Sequence, residues 1–138
     1  MAKTIELLEE ALTGQIIGAF FDVYNYHGFG FLEAVYHRSL LYELRARGFE
    51  VQSEPSFRVD YKGRFAGTFR PDLVVEGRVV VELKSTLALA DSDLRQLVNA
   101  LQASGIKVGL LLHFGAKPEH HRVVWTREHR EVDPRRFR

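Results

Sequence analysis

The chain has 138 residues, no cysteine, and 19 basic against 18 acidic side chains, a formal charge of +1. That length fits one domain with one core, and 46% hydrophobic residues exclude wholesale disorder. Lack of cysteine removes disulfides, thiolate zinc sites and cysteine nucleophiles together, and a charge near zero excludes coating nucleic acid through net charge alone.

Charge divides mildly along the chain: residues 1–69 carry 7 basic and 9 acidic side chains, residues 70–138 carry 12 and 9. No apolar run approaches the roughly 20 residues of a membrane span, and the acidic start has no signal-peptide core. A soluble, cytoplasmic protein is expected, with no membrane partner.

Thr4 is the predicted cap of a helix to about Tyr26, with Ile5, Leu8, Leu12, Ile16, Ala19 and Phe20 at helical spacing. Gly14 and Gly18 weaken it and mark a break point near Gly14. A second helix is predicted from Phe31 to Arg47, stopped by Gly48. Strands follow. Ser56 to Tyr61 alternates and meets a Lys62-Gly63 turn; Thr68 to Val75 and Arg78 to Lys84 form the expected hairpin. Asp91 is the predicted cap of a helix over about Ser92 to Ala103, with Gly105 past its end. Ile106 to Phe114 is apolar enough for a strand buried on both faces. Pro118 precedes a last short strand, Arg122 to Thr126, and a charge-dense tail read as solvated. This order predicts a layered α/β or α+β domain over 1–138, with its core at about 14–126 and a charged tail at 127–138.

The hairpin carries the most information. If Glu76-Gly77-Arg78 make its turn, Val75 opposes Val79 and Asp72 opposes Glu82. Leu73, Val75, Val79, Val81 and Leu83 then share one apolar face, while Asp72, Val74, Val80, Glu82 and Lys84 share the other. Two carboxylates side by side in a sheet repel. One must take a proton unless a cation sits between them, and a divalent metal with hard oxygen ligands is the economical cation. Glu33 lies three positions before Tyr36 on the stripe continued by Leu40 and Leu44, so it too turns toward the core. The bland alternatives are a capped strand start for Asp72, a solvent-facing strand side for Glu82 and Lys84, and a helix N-terminal acid for Glu33. The late histidines, His113, His120, His121 and His129, match no zinc-ligand spacing.

Pro71-Asp72, nine residues, then Glu82-Leu83-Lys84 resembles the PD-(D/E)XK motif of the metal-dependent nuclease superfamily. Upstream, Gly30-Phe-Leu-Glu33-Ala-Val-Tyr36 resembles the signature of the GxxExxY family, and the likeness runs on through Glu43-Leu44, Gly48, Tyr61-Lys62-Gly63 and Val108 to Leu112. The resemblance implies a restriction-endonuclease-like core, a central mixed β-sheet flanked by helices. It implies a nuclease acting on nucleic acid, DNA before RNA, through Mg²⁺ or Mn²⁺ and an activated water. Asp72, Glu82, the Leu83 carbonyl and Glu33 would hold the metal. Lys84 would polarise the attacking water, and Gln96 would stand near the site from the following helix. Tyr36 would pack in the core with its hydroxyl near the site. The chain departs from the related patterns with Ala100 where tyrosine is frequent, Tyr24 where histidine is, and His113 where asparagine is. A homodimer or a partner protein would supply specificity that so small a domain lacks. The alternatives are a binding or regulatory module on the same scaffold, and a dimerisation domain using the final strand around Trp125.

Overall fold

Helix α1 spans Glu10–His27 without interruption, so neither Gly14 nor Gly18 breaks it. A β-carbon at Gly18 would lie 3.3 Å from the Arg47 guanidinium, which crosses from the end of the second helix to pair with Asp22 and Glu43. A computed structural model describes residues 9–126 and the backbone of 130–131. The expected Thr4 cap, Ile5 and Leu8 lie outside the described residues. Within them, Leu12, Ile16, Ala19 and Phe20 form the buried stripe their spacing predicts.

Helix α2 is Glu33–Ala46, starting two residues later than expected. Leu32 is extended and Gly30 has φ 118°, so residues 28–32 form a turn instead. The Tyr36 hydroxyl closes that turn, donating to the Gly28 carbonyl at 2.5 Å and accepting from the Phe31 amide at 3.2 Å. At the far end Gly48 takes φ 89°, its amide bonds to the Arg45 carbonyl, and the Phe49 amide to that of Leu44. This is the left-handed termination a glycine allows.

The strands are β1 (Val51–Ser53), β2 (Phe57–Tyr61), β3 (Arg64–Phe69), β4 (Leu73–Val75) and β5 (Val79–Lys84); helix α3 (Asp91–Ser104) then precedes β6 (Val108–Phe114), β7 (Pro118–Trp125) and β8 (Arg130–Glu131). A mixed six-stranded sheet runs in the order β1-β4-β5-β6-β7-β8, with β5 and β6 parallel and the other pairs antiparallel. Among the described residues, β2 and β3 pair only with each other.

The hairpin register is the expected one: Val75 opposes Val79 and Leu73 opposes Val81. Its faces split accordingly. Leu73, Val75, Val79, Val81 and Leu83 pack with α1 and α2, while Val74 and Val80 pack with α3. β6 is buried along its whole length because both faces are covered.

Four expectations need correction. Thr68 to Val75 is not one strand: Thr68 belongs to β3, and Arg70-Pro71 ends that ribbon before β4, because proline has no N–H for a ladder. Ala90, not Asp91, is the cap of α3, with its amide donating to the Asp93 carboxylate at 2.9 Å. β7 begins at Pro118 rather than Arg122, a first-residue position where a missing N–H costs nothing. Finally, the backbone of Arg130–Glu131 pairs with Val124 and Trp125, so the strand end read as an available edge is covered there. No helix among the described residues is long and apolar enough to cross a membrane.

Candidate metal and catalytic site

β4 begins at Leu73, and the residue before it serves as ligand rather than ladder. Continuing the hairpin register past Leu73 sets Asp72 opposite Glu82 and Pro71 opposite Leu83. Pro71 offers no N–H, so the Leu83 carbonyl finds no ladder donor from that strand. The Leu83 amide, which leaves the same strand edge, is taken instead by the Asp72 carboxylate at 2.7 Å. The Asp72 carbonyl is fixed in turn by the Glu54 amide at 2.9 Å. Asp72 is thereby oriented from both ends.

Glu82 projects from the middle of the sheet and is only 1% exposed. Its carboxyl is pushed up to about 9, first by burial, then by the charge of Asp72 and a hydrogen bond between the two groups, with Lys84 opposing. Burial and the neighbouring carboxylate thus favour the protonated form of Glu82. One oxygen, Oε1 of Glu82, is buried without a hydrogen-bond partner. A buried carboxylate oxygen left unpaired is costly, and a hard cation would satisfy it.

Glu33 heads α2 and reaches the same end of the sheet half-buried. Burial and then the charge of Asp72 raise its carboxyl above the usual range, against Lys84 and His37; Asp93 adds to the rise. Glu33 and Asp72 line an open cleft of about 420 Å³ with His37, Ser53 and Glu54 among its other walls. On the sheet face covered by α3, Lys84 donates to the Gln96 side-chain oxygen at 3.0 Å. That contact fixes the ammonium beside the strand end.

Asp72, Glu82, Lys84 and Gln96 are thus brought together, with Glu33 within electrostatic reach across the cleft. Two carboxylates and one carbonyl make a minimal oxygen donor set that leaves positions open for water and phosphate. Among the described residues, no three Asp, Glu, His or Cys side chains form a ready cage. Tyr36 packs in the core as expected, but its hydroxyl serves the 28–32 turn.

The three departures each have a structural use. The Tyr24 hydroxyl donates to the carbonyls of Gly115 and Ala116, holding the β6–β7 turn. His113 lies opposite Lys84 and bonds the Thr86 carbonyl at 2.8 Å, anchoring the loop after β5. Ala100 is fully buried against the sheet, where a tyrosine would not fit. Sequence reasoning missed Asp93 and His37. Their signals were local: Asp93 three residues after the Ala90 cap, and His37 one turn after Glu33.

The family model of the PD-(D/E)XK nuclease superfamily matches residues 10–123. The chain belongs to the PD-(D/E)XK nuclease superfamily. No curated protein matches it. Among solved structures, the crystal structure of SSO0001 is similar, with 16% sequence identity and a TM-score of 0.54. The match covers 66% of this chain and 48% of that one, so this chain spans about half the length of that structure. Likeness at that identity shows the fold. Superfamily membership accounts for the mixed sheet flanked by helices, a nuclease-like fold.

Proposed function

We propose that this chain is a nuclease that hydrolyses phosphodiester bonds in DNA with Mg²⁺ or Mn²⁺, a member of the GxxExxY group on the strength of Gly30, Glu33 and Tyr36. The observation that carries this reading is buried Glu82, with an unpartnered oxygen, beside half-buried Asp72 and next to a lysine held by Gln96.

Asp72, Glu82 and the Leu83 carbonyl would hold the ion, with Glu33 contributing across the cleft. A divalent cation bound there supplies a Lewis acid for the phosphate and lowers the pKa of water. The rest falls to the chain. Asp72, fixed by the Leu83 and Glu54 amides, sets the position of the donor set without moving. Lys84, held by Gln96, orients the attacking water by hydrogen bonding and faces the negative charge that grows on the phosphate oxygens. Glu33, its affinity for a proton raised by burial and by Asp72, would accept a proton from that water. Cytoplasmic action, and a second copy or a partner protein that adds specificity, complete the proposal.

The test is a cleavage panel of single-stranded, duplex, nicked and branched DNA with Mg²⁺ or Mn²⁺. Asp72→Ala, Glu82→Ala and Lys84→Ala should each lower cleavage by roughly 10²-fold or more, with circular dichroism confirming the fold. Equal cleavage by the wild type and all three variants overturns the mechanism.

A further inference from the structure

Nine large apolar side chains stand exposed among the described residues, and they are not scattered. Phe29, Phe31 and Leu32 occupy the turn that leads into Glu33, and Leu87 the loop that follows Lys84. These two loops are joined by the Ser85 hydroxyl, which donates to the Phe31 carbonyl at 2.7 Å. Val59, Tyr61 and Phe65 stand on the β2–β3 ribbon. Seven of the nine therefore flank the end of the sheet that carries the carboxylates; Tyr26 and Tyr42 are the other two.

The ribbon is the less easily explained part. Both its legs are rooted at the cleft, through Glu54 on one side and Asp72 on the other, which the Glu54 amide ties together. Only its base is packed: Phe57 and Phe69, opposite each other, meet the cluster under α3. Beyond that base every residue but Gly67 is exposed. A two-stranded ribbon with so little burial is marginal in water. Its order comes from a two-residue turn, Lys62 at φ 49° and Gly63 at φ 79°, and from cations over rings. The Arg58 guanidinium lies 5.1 Å from the Phe65 ring, and the Lys62 ammonium 5.3 Å from the Tyr61 ring.

Charge selects the occupant. From residue 58 to 70 the ribbon carries Arg58, Lys62, Arg64 and Arg70 against one acid, Asp60, and Arg58 already pairs with that acid at 2.6 Å. Lys62, Arg64 and Arg70 make no ion pair with another described residue. A polyanion that also presents flat apolar faces fits both halves of this surface. In duplex the base faces are hidden by stacking; in an unpaired strand they are open to aromatic side chains and guanidinium planes. A five-residue strand is about 17 Å long, the span of about five stacked nucleotides.

We propose that the β2–β3 ribbon holds an unpaired strand of DNA beside the cleft, on the face where Tyr61 stands opposite Arg64, Tyr61 stacking on its bases and Lys62, Arg64 and Arg70 contacting its phosphates. The apolar loops carrying Phe31, Leu32 and Leu87 receive the strand on the far side of the site. This rests on the nuclease reading for the choice of ligand, and it narrows the substrate to single-stranded, frayed or branched DNA.

The test is binding without cleavage: fluorescence anisotropy in EDTA, with a labelled 20-nucleotide single strand and a blunt duplex of the same sequence. The wild type should bind the single strand at least tenfold more tightly. Tyr61→Ala should weaken that binding roughly 5- to 100-fold and Tyr61→Phe should restore it, while Phe65→Ala, on the opposite face of the ribbon, and Tyr42→Ala, between α1 and α2, should leave it unchanged. Lys62→Ala with Arg64→Ala should flatten the salt dependence by about 1.4 in slope. Equal or tighter duplex binding, or single-strand binding unchanged by Tyr61→Ala, overturns the inference. Cleavage in Mn²⁺ is scored separately. Ribbon-dependent binding without cleavage removes the nuclease reading alone, and cleavage with ribbon-independent binding removes the ribbon alone.

Discussion

At Glu82 burial and charge conflict most directly. The side chain is 1% exposed, faces Asp72, and keeps its proton to about pH 9 in the absence of a cation. An unfolded glutamate ionises near 4.3. Between those values the folded protein binds one more proton than the unfolded chain, so raising the pH favours unfolding, by up to about 1.4 kcal/mol per pH unit. In EDTA, the wild type should therefore lose stability steadily from pH 5 to pH 8 in urea titrations. Glu82→Gln keeps the shape and removes the titration, so its profile should be nearly flat across that window. A wild-type profile as flat as that of the variant would mean that Glu82 ionises normally where it stands.

The helices matter through how closely they approach the sheet. A β-carbon at Gly109 of β6 would lie 2.7 Å from Leu97 Cδ1 and 3.3 Å from Leu101 Cδ2, both on α3. Leu97 is fully buried and has nowhere to swing, so Gly109→Ala should lift α3 and destabilise the fold by about 1–3 kcal/mol. Urea unfolding that matches the wild type would show slack under the helix. α3 also carries Gln96, whose hold on Lys84 depends on that approach. Such packing distances are invisible in a sequence, whereas the positions of Asp72, Glu82 and Lys84 were not. These three follow from one hairpin register, set locally by the Glu76-Gly77-Arg78 turn. Gln96 was found only by resemblance. β1 was missed because three residues, Val51 to Ser53, carry no period and pair with β4 across some twenty positions. The expected strand from Thr68 to Val75 ran through Pro71, where a missing N–H ends the ladder.

Across the whole molecule, a formal charge of +1 conceals two opposed fields. Glu33, Asp72, Glu82 and Asp93 gather at one end of the sheet with Lys84 and His37 as the cations in reach, while the ribbon rooted beside them is basic. A polyanion drawn to the ribbon would meet repulsion at the cleft unless a cation lay there. The fold thus has a reason to bind metal that is independent of turnover, and the ion should stabilise the native state because the donor set exists only when β4 and β5 are paired. At a concentration 100-fold above the dissociation constant the gain is about 2.7 kcal/mol, several degrees in melting temperature for a chain of this size. Mn²⁺ should therefore raise the melting temperature of the wild type and leave Asp72→Ala and Glu82→Ala where they are. Since the ion must displace the proton on Glu82, the shift should grow from pH 6 to pH 8. An equal shift in both variants would place the ion elsewhere on the molecule.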